Sequence, residues 1–265
     1  MTGGGTNLGK AAATELVRCG ASVVIAGRRE EVLAETAAAL GEGGSWVAGD
    51  IREGAGAEAI VSGVLDRHGR LDFLLNNAGG QYFVPAEGIT AKGWNAVQRL
   101  NVAGTLAMCE AAYHLAMREA GGTIVNVTVS PHQGFPAMAH TGAARAAVEA
   151  LTKELAAQWA PDGVAVSAVA LGRLATESLK KYPAELWRRA AESVPLQRLG
   201  EVEEYGWLVA LLATPMGRAL SGSVVTLDGA LDNWTGPWPP QALVRDGDVP
   251  TEERRPAAPP PPVVG

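Results

Sequence analysis

The feature that most constrains this chain is its opening. Thr2-Gly3-Gly4-Gly5-Thr6-Asn7-Leu8-Gly9 runs directly into a helix-like stretch from Lys10 to Arg18. Glycine tolerates positive φ and carries no Cβ, so a backbone of this kind can close on a phosphate. The helix behind it offers unpaired N–H groups with partial positive charge. A glycine turn alone also describes a flexible leader, so its surroundings decide. Ala21–Ala26 reads as a buried parallel strand. Gly27-Arg28-Arg29 then falls about 20 residues past the glycines, where a dinucleotide-binding unit contacts the adenosine ribose. Such a glycine turn normally follows a central strand, yet only Met1 precedes Thr2. The expectation is that the native start lies upstream. The alternative is a sheet without its middle strand, whose neighbours leave backbone groups unpaired.

Beyond the opening, short apolar runs alternate with Ala-rich helical stretches. Strands are expected at Ser22–Ala26, Ser45–Ala48, Leu71–Leu75, Thr123–Val127, Val164–Val169 and Val224–Leu227. Helices are expected at Glu30–Leu40, Gly56–Arg67, Lys92–Glu119, Ala143–Trp159 and Val202–Ala213. That order predicts an α/β fold: a doubly wound parallel sheet of Rossmann type, helices on both faces, its first strand missing. Ligands of such sheets bind beyond the carboxyl ends of the strands. Residues 1–234 read as one dinucleotide-binding domain. Residues 235–265, rich in proline, read as a mostly disordered tail.

A net charge of −6 gives no basic field for nucleic acid. Apolar segments are interrupted before they could span a membrane. Cys19 and Cys109 lack metal or redox spacing, so they read as packing residues in a reducing cytoplasm, with no metal site.

Further motifs carry a family resemblance. Asp50-Ile51, Asn76-Asn77-Ala78-Gly79 and Asn101 follow the glycine turn in order. Together they resemble the short-chain dehydrogenase/reductase family from Thr2 to roughly Leu231. Gly79–Glu87, Lys92–Val97, Gly134-Phe135-Pro136, His140–Ala146 and Asp232-Asn233-Trp234 look like the peroxisomal trans-2-enoyl-CoA reductase group, with the dienoyl-CoA reductases next. This resemblance implies NADPH-dependent reduction of a double bond conjugated to a thioester. It places Gly3, Thr6, Asn7, Leu8 and Gly9 at the pyrophosphate, Asp50 and Ile51 at the adenine, and Asn77, Ala78 and Gly79 against the cofactor. Gly172 and Thr176 fall near the nicotinamide, although Leu171 stands where the family usually has proline. Asn7 replaces a usual glycine but belongs to the residue types that best adopt the left-handed conformation. Arg28, with Arg29 beside it, suits a 2′-phosphate, whereas Gly27 supplies no carboxylate for a ribose diol; NADP(H) is therefore favoured.

The catalytic positions are altered. Where most of the family has Tyr-x-x-x-Lys, this chain has Thr141-x-x-x-Arg145, and Val129 stands at the usual serine. A threonine hydroxyl is too weak an acid to deliver its proton readily, and arginine does not give up its own. Glu149 and Lys153 repeat the spacing one turn later but read as an exposed ion pair. Hydride addition to a conjugated C=C leaves an enolate, which needs hydrogen bonds at oxygen rather than an acid on a carbonyl. Arg145 is then the ribose and electrostatic residue. Thr141, Gln81 or Tyr82 would donate to the thioester oxygen, and Asn101 would bend its helix and hold a water. His132 and His140 read as uninvolved.

The leading expectation is an NADPH-dependent reductase of an α,β-unsaturated acyl thioester, a homo-oligomer (tetramer or dimer) packed through its Ala-rich helices. The alternatives are a ketone reductase using an atypical acid such as Tyr82, and a cofactor-binding scaffold without catalysis.

Overall fold

In a computed structural model the alternation resolves into parallel strands joined by helices; the structure describes residues 1–130, 132, 137–177 and 184–236. The chain runs α1 (Asn7–Arg18), β1 (Val23–Gly27), α2 (Glu30–Leu40), β2 (Gly44–Ala48), α3 (Gly54–His68) and β3 (Phe73–Asn76). It continues through α4 (Ala91–Gln98), α5 (Gly104–Ala112), α6 (Arg118–Ala120), β4 (Gly122–Val129) and α7 (Ala139–Trp159). Then come β5 (Val164–Leu171), α8 (Ala184–Glu192), α9 (Val202–Leu212), α10 (Pro215–Arg218) and β6 (Val224–Leu227).

Strand β1 pairs with β2, and β3, β4, β5 and β6 form a second parallel ladder in that order. Thr2 stands between the two ladders, bridged to Ala26 on one side and to Asn76 on the other. Its N–H donates to Leu75 O at 3.0 Å, while Gly3 N donates to Ala26 O at 2.8 Å. Met1 joins Thr2, accepting from Ala26 N at 2.8 Å, so these two residues lie where the central strand of such a sheet runs. The strand order reverses here, and the crevice of a doubly wound sheet opens at such a switch point.

Alternation along each strand sends its side chains to opposite faces. Leu74, Ile124 and Val166 pack with Ile60, Met108 and Trp159 on the face covered by α3, α5 and α7. Leu75, Val125 and Val169 pack with Leu16, Leu33, Tyr205 and Val209 under α1, α2 and α9. Because both faces are covered, β5 is buried along its whole length, which its unbroken Val/Ala pattern requires.

Several expectations need correction. The helix expected over Lys92–Glu119 is interrupted by π-helical turns at Arg99–Ala103 and Tyr113–Met117. At the first, the Asn101 side chain donates to Val97 O at 2.9 Å and competes with the helical ladder. Strands β4 and β5 extend to Val129 and Leu171, and α7 begins at Ala139 rather than Ala143. Helices α8 and α10 were not anticipated. Cys109 is buried, as a packing residue should be, but Cys19 is exposed at the end of α1. Gly134-Phe135-Pro136 and the proline-rich residues 237–265 lie outside the described residues. Among the described residues, no helix is long and apolar enough to cross a membrane.

Candidate active site

A cleft of about 1280 Å³ opens over the carboxyl ends of the strands, larger than the roughly 300–1,000 Å³ typical of small-molecule pockets. All the residues assigned to the cofactor from sequence line it: Gly3, Thr6, Asn7, Leu8, Gly9, Arg28, Arg29, Asp50, Ile51, Asn77, Ala78, Gly79, Arg145, Gly172 and Thr176.

At one end the glycine turn is held by close packing. Gly3 has φ +64° and Asn7 φ +47°, so both occupy the left-handed region and the asparagine does what a glycine would. A Cβ on Gly3 would stand 3.0 Å from Asn77 Nδ2, and one on Gly9 would collide with Gly3 O. Asn77 Nδ2 donates to Gly3 O at 3.1 Å and to Thr2 O at 3.3 Å. Ala78 N donates to Thr2 Oγ1 at 3.1 Å. The first turn of α1 has neither a side-chain cap bond at Thr6 nor an acidic residue. The positive end of the helix dipole therefore points into the cleft without a local carboxylate to offset it.

Arg28 and Arg29 are exposed at the rim, and neither forms an ion pair among the described residues. Arg29 caps α2 without a side-chain bond, while Glu30 and Glu31 supply the acidic first turn that the helix dipole favours. The Arg52 guanidinium forks onto Asp50, with Nε 2.8 Å from Oδ1. That hydrogen bond, against an opposing contribution from burial and with help from the field of Arg28, holds the Asp50 carboxyl down at about 2.

The other end is built on β4 and α7. Arg145 is 7% exposed. Its Nη1 donates to Val127 O at 2.6 Å, its Nη2 lies where a Gly79 Cβ would sit, and its Nε has no partner. Burial pushes its pKa down to about 10, which leaves it cationic at neutral pH. Gln81 and Tyr82 line the cleft from the loop after Gly80.

Asn101 and Thr141 are placed differently from the expectation. Neither lines the cleft. Asn101 is buried in the first π-helical turn, giving Nδ2 to Gly80 O at 2.9 Å and accepting from Gly80 N at 3.2 Å. It braces the Gly79-Gly80 turn with the atoms expected to serve a water. Thr141 is wholly buried on α7 with Oγ1 unpartnered. Thr128, beside Val129, is among the residues that line the cleft, but it is as fully buried as Thr141 and its hydroxyl likewise has no partner among the described residues. Whether a strand-end hydroxyl finds a partner depends on tertiary neighbours, so the sequence carries no signal for it.

Glu149 does not pair with Lys153. It accepts from His132 Nε2 at 2.8 Å, and Asp232 accepts from His132 N at 2.6 Å and also meets its Nδ1. Burial lowers the His132 pKa, but Asp232 and Glu149 outweigh it and the net shift is upward. His140 is fully buried, its ring 4.3 Å from that of Tyr82 and both ring nitrogens unpartnered.

Comparison with known proteins agrees with this geometry. The family profile described as enoyl-(acyl carrier protein) reductase matches residues 4–231. A peroxisomal 2,4-dienoyl-CoA reductase of Danio rerio is 33% identical over 86% of this chain and 79% of its own length. A probable 2,4-dienoyl-CoA reductase of Bacillus subtilis is 34% identical over 90% of this chain and 97% of its own. Among solved structures, a citronellol catabolism dehydrogenase of Pseudomonas aeruginosa superposes with a TM-score of 0.78 at 36% identity, covering 87% of this chain and 92% of that one. An actinorhodin polyketide ketoreductase solved with NADPH superposes with a TM-score of 0.84 at 26% identity, covering 88% and 96%. A parallel sheet reversing at a glycine turn, a cleft over its strand ends, and these relatives along most of its length identify the chain as a member of the short-chain dehydrogenase/reductase family of oxidoreductases.

Proposed function

We propose that this protein reduces the conjugated C=C bond of an α,β-unsaturated acyl thioester with NADPH. The observation that carries the reading is the buried Arg145 cation at the cleft wall, on a helix (Ala139–Trp159) that contains no tyrosine. A carbonyl reductase needs an acid of suitable pKa at the oxygen. A conjugated C=C needs positive potential and donors where the enolate charge develops. Arg145, Thr128, Gln81 and Tyr82 supply those on this chain.

The residues present fit a phosphorylated dinucleotide. The glycine turn has no room for Cβ atoms, the first turn of α1 has no acidic residue, and Arg28 forms no ion pair among the described residues. NADPH when bound supplies hydride. The turn and α1 receive its pyrophosphate, Arg28 and Arg29 its 2′-phosphate, Asp50 and Ile51 its adenine, and Arg145 its nicotinamide-side ribose. The dienoyl-CoA reductases among the relatives support a coenzyme A thioester as substrate.

Two unpaired thiols suit a reducing compartment, and we assign the protein to the cytoplasm. Exposed Leu115 and Trp94 lie along α4–α6, where a second copy would pack to give a dimer or tetramer. One observation favours a second reading: Tyr82 lines the cleft and is 37% exposed, although its hydroxyl packs against Gly93 and would have to turn to reach a ketone oxygen.

A panel assay separates the readings. NADPH oxidation with crotonyl-CoA or a dienoyl-CoA, yielding a reduced C=C, is expected. Turnover of ketones alone supports the Tyr82 reading, and binding without turnover supports a scaffold.

A further inference from the structure

We infer that Tyr205, on α9, is a positioning residue for the dinucleotide, acting through Asn77 on the glycine turn. The inference rests on the proposed NADPH site. Tyr205 is wholly buried and does not line the cleft. Its hydroxyl donates to Asn77 Oδ1 at 3.1 Å. The opposite edge of the same amide donates from Nδ2 to Gly3 O at 3.1 Å and to Thr2 O at 3.3 Å.

A carboxamide has two edges of nearly equal shape and opposite polarity. A phenolic donor on one edge selects the orientation that turns NH2 toward the glycine turn. The reversed amide would set its oxygen against two carbonyls. Burial raises the Tyr205 pKa, against the field of Arg145, so the hydroxyl keeps its proton.

The turn rests directly on this amide: a Cβ on Gly3 would be 3.0 Å, and one on Gly9 2.8 Å, from Asn77 Nδ2. Bridged Thr2 and the bond from Gly3 N to Ala26 O at 2.8 Å tie the start of the turn to β1 and β3, and the Asn77 amide braces it from the β3 side. Helix α9 is pressed onto α1 at Gly206, where an added Cβ would lie 3.2 Å from Ala11 O. The phenol ring is thereby fixed relative to the loop it orients.

The test is a double-mutant cycle on the full chain, read by NADPH fluorescence titration and steady-state kinetics. Tyr205→Phe keeps the ring and leaves Asn77 Oδ1 without its donor. It is expected to raise the Kd and KM for NADPH about fivefold, with kcat at saturating cofactor changed less than about twofold. In an Asn77→Ala background the same substitution is expected to add nothing, since its route is gone. Unchanged Kd in Tyr205→Phe, an undiminished effect in the Asn77→Ala background, or a loss confined to kcat would each overturn the inference. If Tyr205→Phe fails to fold, Asn77→Asp keeps an acceptor toward Tyr205 and sets an oxygen against Gly3. Weakened NADPH binding supports the brace there, and unchanged binding overturns it. A parent chain that binds neither NADPH nor NADH overturns both the inference and the proposed function.

Discussion

The two ends of the cleft are built on different principles. At the end built on the glycine turn, the shape rests on backbone, a turn too tight for Cβ atoms leading into α1, with Arg28 and Arg29 at the rim and in no ion pair among the described residues. At the end formed by β4 and α7, everything depends on individual side-chain atoms. Arg145 is wedged between Val127 and Gly79, and of the two buried threonines Thr128 lines the cleft while Thr141 does not. Binding sites made of backbone tolerate a replacement such as Asn7 for glycine, because another residue reaches the same φ. Chemistry made of side chains changes when one residue is replaced.

The largest expected effect lies at the side-chain end. Arg145→Met preserves much of the stem while removing the cation, and should lower kcat/KM for an enoyl-CoA by about 10²–10³-fold. Steady-state kinetics beside a circular dichroism control checks this; unchanged activity would remove Arg145 from the chemistry. Arg28→Ala comes next. Losing a charge-assisted contact should cut the preference for NADPH over NADH by about 10–100-fold, measured as the ratio of the two kcat/KM values.

A paired substitution sharpens the contrast within the same end. Thr128→Val should reduce kcat about 3–10-fold through one lost neutral donor. Thr141→Val, which removes a buried hydroxyl that has no partner, should leave catalysis within about twofold. Equal effects would erase the distinction between the two threonines.

The smallest effect concerns pH. His132 has a folded-state pKa raised above its ordinary 6.5. Its contribution to stability is therefore complete below the unfolded value and fades as pH rises through the folded one. His132→Gln should flatten the decline in stability as pH rises above the ordinary imidazole value, measured by denaturant unfolding across a pH series.

This division also explains what was legible in sequence. Glycines, apolar strands and the Arg28 position report backbone geometry, so the order of elements and the lining of the glycine-turn end could be read directly. Strand ends drifted by a residue or two because the apolar pattern continues into flanking loops. Asn101 was expected to disturb its helix and does, yet its amide serves Gly80, a partner from another segment. Thr128 lines the cleft and Thr141 does not, although both are fully buried, and no local pattern encodes that. The contact of Tyr205 with Asn77 joins residues 128 positions apart, beyond any motif window. The Glu149–Lys153 spacing suggested a helical ion pair, but His132, brought in by the loop after β4, takes the glutamate instead.

The central claim is that one cleft grips NADPH and delivers reduction to a conjugated double bond. Its most direct measurement is the absorbance of NADPH followed with crotonyl-CoA, together with mass analysis of the thioester. The account predicts cofactor oxidation matched mole for mole by butyryl-CoA, with NADH much poorer. Absence of thioester reduction while a ketone substrate is turned over, or equal use of NADH, would contradict it.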